Sequence, residues 1–298
     1  MTIAISGASG LIGGALRAAL TAEGHRVLRL VRKPPASGDE VEWNPEVGVV
    51  DPGCVAGIDA VIHLAGENIA SGRWSRRRME AIRASRVEGT RALVGSLGRS
   101  SPPPKAFLCA SAVGIYGDRG DEVLTEQSPL GSGFLAEVCQ AWEHEAAAVA
   151  QAGVRWVGLR FGVVVTPTGG MLTQVLPQFK RGIGGRVGNG RQYMSWIALD
   201  DVVGAVRHVL ADPGWTGPVN IVSPQPVTNA EFTSILARVL GKSAALPVPA
   251  MVLRLAVGRM ADEVLLVSTR VRPERLVSGG YEFQLPELTA ALRQMLGA

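Results

Sequence analysis

Residues 7–13 read Gly7-Ala-Ser9-Gly10-Leu11-Ile12-Gly13, and a short apolar run, 2–6, leads straight into them. That order is strand, glycine turn, helix start. A turn of this kind points backbone N–H groups outward at the positive end of a helix dipole, where a pyrophosphate is favoured. Glycine is needed because a side chain would block the phosphate or hold the helix away from the strand. A glycine triplet alone is weak evidence. Here Leu11, Ile12, Ala15, Leu16, Ala19 and Leu20 recur behind it at helical spacing, Gly24 supplies a stop, and 26–31 forms a second apolar run. The pattern predicts a dinucleotide on Gly7, Ser9, Gly10, Leu11, Ile12 and Gly13, in preference to an ordinary tight turn.

The second run indicates which dinucleotide. A site for NAD usually ends its second strand with Asp or Glu, which accepts hydrogen bonds from the ribose 2′-hydroxyl. In this chain Val31 is followed by Arg32-Lys33, and no acid occurs before Asp39. Two cations attract a 2′-phosphate, and Arg can hold it with two N–H groups at once. The expected cofactor is NADP, with Arg32 and Lys33 as its discriminating residues. The alternative is a merely basic loop start before Pro34-Pro35.

Apolar runs at 2–6, 26–31, 60–64, 106–110 and 154–161 alternate with helical patterns at 11–23, 79–98 and 134–151. Such alternation predicts an α/β fold, a doubly wound parallel sheet covered by helices on both faces. Ligands gather at the carboxyl ends of such strands, which brings Leu64, Ala65, Gly66, Ala110 and Phe161 to the cofactor. From residue 166 the pattern changes. Glycine-dense loops at 168–170 and 182–190 flank an apolar segment at 171–179. Asp200-Asp201 read as the cap of a helix to about 210, and 217–222 as a strand. Thr228 to Glu231 is a capping box, 250–266 a helix after Pro247 and Pro249, and a last helix starts at Glu287. We divide the chain into a cofactor domain, 1–165, and a smaller α/β substrate lobe, 166–298, some of whose segments return to the sheet.

Composition excludes several classes. With 47% hydrophobic and 19% charged residues the chain is not expected to be disordered, and no apolar run approaches the roughly 20 residues that a spanning helix needs. The turn follows Met1 too closely for a signal peptide. Three cysteines and four scattered histidines give no metal-ligand spacing, and the expected compartment is the reducing cytoplasm. The net charge of +4 and the run Arg73 to Arg91 invite a nucleic-acid reading. The basic residues of that run share a helix with Ile82, Val87 and Leu93, as on a solvated amphipathic face. The expected partners are a small-molecule substrate and, at most, a second copy of the chain. Neither nucleic acid nor membrane is expected.

Three motifs, Gly7-x-x-Gly10-x-x-Gly13, Asp59 to Gly66 and Ser111-Ala-Val-Gly-Ile-Tyr116-Gly117, resemble the extended short-chain dehydrogenase/reductases. The stretches Gly66 to Trp74, Cys139-x-x-Trp142-Glu143, Ser195 to Asp201 and 247–283 are similar to an atypical NAD(P)-dependent epimerase-like branch with its own C-terminal segment. The resemblance implies a Rossmann-like cofactor domain and an oxidoreductase or epimerase-like activity. It also implies a Ser/Thr, a Tyr and a Lys four residues later, which transfer the proton and hold the ribose. Those positions are vacant: Ala112, Leu135 and Cys139 occupy them.

The substitutes on offer are few. Ser111 stands at a strand end and Tyr116 close behind it, and these are the candidate catalytic residues. Glu67, Asn68 and Trp74 are candidate substrate contacts, and Trp196 could wall the same pocket. Arg86, assigned to the cofactor, and Arg160 are candidate anion contacts unless salt bridges claim them. Two functions stay open. One is an NADP-dependent oxidoreductase or epimerase-like enzyme acting on a small carbonyl or sugar-type substrate. The other is an NADPH-binding redox sensor with little turnover.

Overall fold

The computed structural model describes residues 1–49, 51–244 and 246–297. The first unit forms where the periodicity places it, as β1 (Thr2–Ser6), α1 (Leu11–Ala22) and β2 (Arg26–Val31). Two strands absent from the sequence expectation follow, β3 (Glu40–Asn44) and β4 (Gly48–Val49). The period-two alternation Glu-Val-Glu-Trp-Asn explains β3, since it buries Val41 and Trp43 on one face. Then come β5 (Ala60–His63), α2 (Arg76–Leu97), β6 (Ala106–Ala112), β7 (Val123–Leu124), α3 (Phe134–Ala147) and β8 (Arg155–Phe161). The remainder holds β9 (Val163–Thr166), α4 (Gly170–Lys180), β10 (Tyr193–Met194), β11 (Trp196–Ala198), α5 (Leu199–Ala211), β12 (Gly217–Ile221) and β13 (Val227–Thr228). It closes with α6 (Asn229–Val239), α7 (Ala250–Val257), β14 (Arg270–Val271), α8 (Glu274–Ser278) and α9 (Leu288–Leu296).

Eight strands form the main sheet in the order β12-β8-β6-β5-β1-β2-β3-β4, and all run parallel except β4. The chain winds outward from β1 in both directions, so the strand order reverses between β1 and β5. A crevice must open there, above the carboxyl ends. Helices α1 and α5 pack together on one face, and α2 and α3 on the other. Strand β1, buried from both sides, is accordingly apolar throughout its centre: Ile3, Ala4 and Ile5.

Residues beyond 166 serve both parts of the molecule. Strand β12 pairs with β8, and Val202, Val206 and Val209 of α5 join the main core. A second core gathers Leu172, Phe179, Trp196, Phe232, Leu236, Leu288 and Leu292. Thr228 and Glu231 make the expected capping box.

Three details depart from the sequence expectation. Helix α5 starts at Leu199 without a side-chain cap. Asp201 is instead buried, and its carboxylate accepts from the Tyr281 hydroxyl at 3.0 Å and the Gln284 and Leu285 N–H groups at 2.7 and 2.9 Å. It ties the C-terminal tail to α5. The expected helix at 250–266 breaks at Gly258, whose φ of +65° ends α7, and a separate π-helical turn spans Ala261–Leu265. Trp196 is fully buried, with Nε1 donating to the Gln225 carbonyl at 2.9 Å, so it lines no pocket.

Candidate cofactor cleft

The turn between β1 and α1 is closed by Gly10 N–H donating to the Gly7 carbonyl at 2.9 Å. Gly7 has a φ of +68°, and a Cβ there would lie 2.9 Å from the Leu64 carbonyl carbon. A Cβ on Gly13 would stand 2.3 Å from the Gly7 oxygen. Both contacts are backbone on backbone, so neither neighbour can turn aside. Gly10 offers α1 no side-chain cap, which leaves its first N–H groups for another acceptor. The turn is thus shaped for close approach of an anion.

A cleft of about 640 Å³ opens from it. Gly7, Ser9, Gly10, Leu64, Ala65 and Gly66 line it, and so do Arg32 and Lys33. Arg17, Arg29, Glu40 and Trp43 line it as well, and the sequence reading missed all four. The alternation of β3 was the signal for Glu40 and Trp43. Glu40 is the acid that the sequence reading did not place in this site, yet it is already neutralised. Its carboxylate takes Arg29 Nη2 at 2.9 Å and the Ala36 N–H at 2.6 Å. Arg17, Arg32 and Lys33 form no ion pair among the described residues. The wall carries net positive charge with donors to spare.

Beneath the cleft Ser6 organises the junction of β1 and β5. Its Oγ accepts from the Leu64 and Ala65 N–H groups at 3.1 and 3.2 Å and lies 2.6 Å from His63 Nδ1. With both lone pairs used, its proton must go to Nδ1, which leaves the His63 hydrogen on Nε2. Burial pushes the His63 pKa down from 6.5 to about 3. Between those values the unfolded chain binds a proton that the folded one refuses, so stability falls as pH drops through that window. We expect an acid-side slope of up to about 1.4 kcal/mol per pH unit below 6.5. Urea denaturation at pH 7 and pH 5 checks it against His63→Gln, which should lose less on acidification. Equal losses would remove His63 as the cause.

At the ends of β6 and β8, Ala110 and Phe161, expected at the cofactor, are buried and do not line the cleft, and the two catalytic candidates are corrected. Ser111 donates to Glu143 Oε1 at 2.6 Å. Arg160 clamps the same carboxylate through Nε and Nη2, both at 2.8 Å, and its Nη1 donates to the Tyr116 hydroxyl at 2.9 Å. Tyr116 donates onward to Asn220 Oδ1 at 2.8 Å. Tyr116 is 0% exposed and Ser111 3%. Burial raises the Tyr116 pKa against the opposing pull of Arg160, so the phenol stays protonated. The Tyr116 hydroxyl, with both roles spent and no exposure, cannot hand a proton to a ligand, and the Ser111 proton is committed to Glu143. Tyr116, Ser111 and Arg160 form a structural lock between α3, β6, β8 and β12.

The other candidates divide. Glu67 lines the cleft, with its carboxylate paired to Arg78 Nη1 at 2.8 Å. Asn68 caps the following turn, accepting from the Ala70 N–H at 2.9 Å. Trp74 is buried with Met260, Phe134, Leu135 and Val257, and its Nε1 donates to the Ile69 carbonyl. It is packing, not a pocket wall. Leu11 and Ile12 hold α1 in place through side chains that face Gly169 and the main core, and only their backbones adjoin the turn. Leu135 is apolar and Cys139 is buried with its thiol pushed up to about 12, so the vacated relay has no replacement on α3.

Comparison with known proteins agrees with this fold. The NAD dependent epimerase/dehydratase family matches residues 3–221, and a domain of unknown function, DUF1731, matches 248–295. The epimerase family protein Mb2239 of Mycobacterium bovis is 44% identical over 97% of this chain and 96% of its own. The human epimerase family protein SDR39U1 is 34% identical over 99% of this chain and 100% of its own. A crystal structure of the human protein (isoform 2) with NADPH superposes with a TM-score of 0.90 at 32% identity, covering 100% of this chain and 99% of that one. By fold, by motif and by near full-length similarity, the chain belongs to the NAD dependent epimerase/dehydratase family.

Proposed function

We propose that the protein binds NADPH in this cleft and is an NADP-dependent oxidoreductase acting on a small carbonyl-type substrate. One observation carries the cofactor choice: among the described residues Arg17, Arg32 and Lys33 line the cleft without an ion pair, while its carboxylates Glu40 and Glu67 are held by Arg29 and Arg78. A 2′-phosphate placed there meets cations and no free acid. The glycine cradle receives the pyrophosphate, with the open end of α1 directed at it. NADPH was bound in the human relative's crystal structure, which supports the same choice. When bound, the cofactor supplies a hydride. The chain's own part is to orient it at the ends of β5 and β6. With Ser111 and Tyr116 committed elsewhere, the accompanying proton is assigned to water.

Arg32→Glu is expected to weaken NADPH binding by about tenfold to a hundredfold, or about 1.4–2.8 kcal/mol, and to leave NADH nearly unchanged. Paired titrations followed by nicotinamide fluorescence measure this. Equal losses for the two cofactors would sink the assignment. The locked hydroxyls favour a second reading, an NADPH-responsive sensor without turnover. Transfer of deuterium from C4-labelled NADPH to any carbonyl or enone decides for the enzyme. A cofactor-driven conformational change with no transfer decides for the sensor.

A further inference from the structure

Of the two arginines that the sequence offers as anion contacts, Arg160 is clamped on Glu143, and Arg86 donates to the Glu67 and Ile82 carbonyls at 3.1 and 3.2 Å. Neither lines the cofactor cleft, and neither lines a second cavity in the C-terminal half of the chain. That cavity, about 470 Å³, shares no residue with the first. Arg186, Arg238 and Lys242 line it, together with the hydroxyl residues Thr233 and Ser234.

Its charge has one sign, and the sequence shows why. Residues 146–199 contain no Asp or Glu, and neither do residues 232–261. The cavity forms where these two stretches meet, Arg186 coming from the first and Arg238 and Lys242 from the second. The one acid of α6, Glu231, is turned back into its own capping box, where it accepts from the Thr228 N–H at 2.7 Å. Among the described residues no carboxylate lines the cavity, and none of its three cations makes an ion pair.

The backbone beneath these charges is fastened. The Val187 N–H donates to Asn229 Oδ1 at 2.7 Å, the Val248 N–H to the Arg186 carbonyl at 2.8 Å, and the Gly188 N–H to the Val248 carbonyl at 2.9 Å. Gly190 leaves room for the Arg186 stem, since a Cβ there would lie 3.2 Å from Arg186 Cδ. Like charges gathered on a fixed frame repel one another until an anion joins them. Phosphate suits this lining, because its several oxygens can meet guanidinium forks, an ammonium and hydroxyls together. The volume is that of a small-molecule site. No aromatic side chain lines it, so nucleic-acid bases find nothing to stack on.

We infer that this cavity is a second anion site, which binds the phosphoryl end of a small phosphorylated ligand. None of its residues belongs to the main sheet, so its occupant is an effector and not a reactant at the cofactor.

Three of the chain's lysines report on separate places. Lys242 lines the new cavity, Lys33 lines the cofactor cleft, and Lys105 is an exposed reference paired with Asp59. Limited acetylation of the intact protein, read by peptide mass spectrometry, measures protection at each one. Pyrophosphate at ten times its Kd should slow modification of Lys242 by about tenfold relative to chloride at equal ionic strength, and leave Lys105 unchanged. The double variant Arg186→Gln, Arg238→Gln should weaken that protection by about tenfold or more, while NADPH protects Lys33 as in wild type. Thermal denaturation shows whether the variant is folded under these conditions. Protection confined to Lys33 would place pyrophosphate in the glycine cradle alone and overturn the inference. Equal protection of Lys242 and Lys105 would be bulk screening, and undiminished protection in the double variant would remove both arginines from the site; either result overturns it as well. If single-stranded RNA protects Lys242 and pyrophosphate does not, the patch serves nucleic acid and the inference fails.

Discussion

Gly13→Ala is expected to destroy the cofactor cradle, lowering NADPH affinity by at least a hundredfold and destabilising the fold by several kcal/mol. In an ordinary exposed helix the change would help, since alanine is favoured over glycine by about 1 kcal/mol. Here the added methyl meets the Gly7 oxygen at 2.3 Å and the Ala8 Cα at 2.9 Å. Relief requires α1 to move off β1, and that movement opens the turn whose N–H groups face the cleft. The neighbouring Gly14→Ala is the control. Its Cβ would have only the Ala8 oxygen at 3.8 Å, an ordinary contact, so the helix gains and the cradle is untouched. Urea denaturation should move the two variants in opposite directions, and NADPH titration should change only for Gly13→Ala. If Gly13→Ala binds NADPH like wild type, the close-approach argument fails.

Arg160→Met carries the second large effect, an expected loss of about 3–5 kcal/mol. Burial by itself lowers the Arg160 pKa, but Glu143 outweighs it and holds it above the ordinary value. Removing the guanidinium leaves the Glu143 carboxylate in a nearly closed site, 11% exposed, with the Ser111 hydroxyl as its one remaining side-chain donor among the described residues. Much of the loss is that stranded charge, not the worth of the pair. The double variant Arg160→Met, Glu143→Leu removes both charges and should recover most of it. A double-mutant cycle by urea denaturation measures the coupling. A single-variant loss under about 1 kcal/mol would mean that the network does not lock β6 to β8, and Ser111 and Tyr116 would return as catalytic candidates.

These two experiments probe different depths of the same sheet, and they show where sequence patterns carry information. The glycine turn was legible because its requirement is local. A positive φ at Gly7, a tight bend and an approaching helix are decided within a dozen residues, and only glycine meets them. Arg32 and Lys33 were legible for the same reason, since the end of β2 follows directly from the periodicity of residues 26–31. The strands β1, β2, β5, β6 and β8 were written in short, largely apolar runs, as expected of strands covered on both faces. β3 was hidden because half-buried alternation over five residues is a fainter signal.

The occupation of the site was not legible. Whether a hydroxyl is free depends on what faces it from elsewhere in the chain, and Tyr116 meets Asn220 from 104 residues away. Asp201 looked like a helix cap because a cap is the local use of an acid, whereas its donors come from a tail more than 80 residues later. Arg86 and Arg160 are the sharpest case. Both are arginines on elements next to the crevice, and nothing nearby in sequence distinguishes them. Sequence by itself determined the sheet, the glycine cradle, its cationic wall and the absence of the usual proton relay, because each is a short-range pattern. The tertiary structure alone decided which charges are already paired, because a counter-ion is chosen by distance in space.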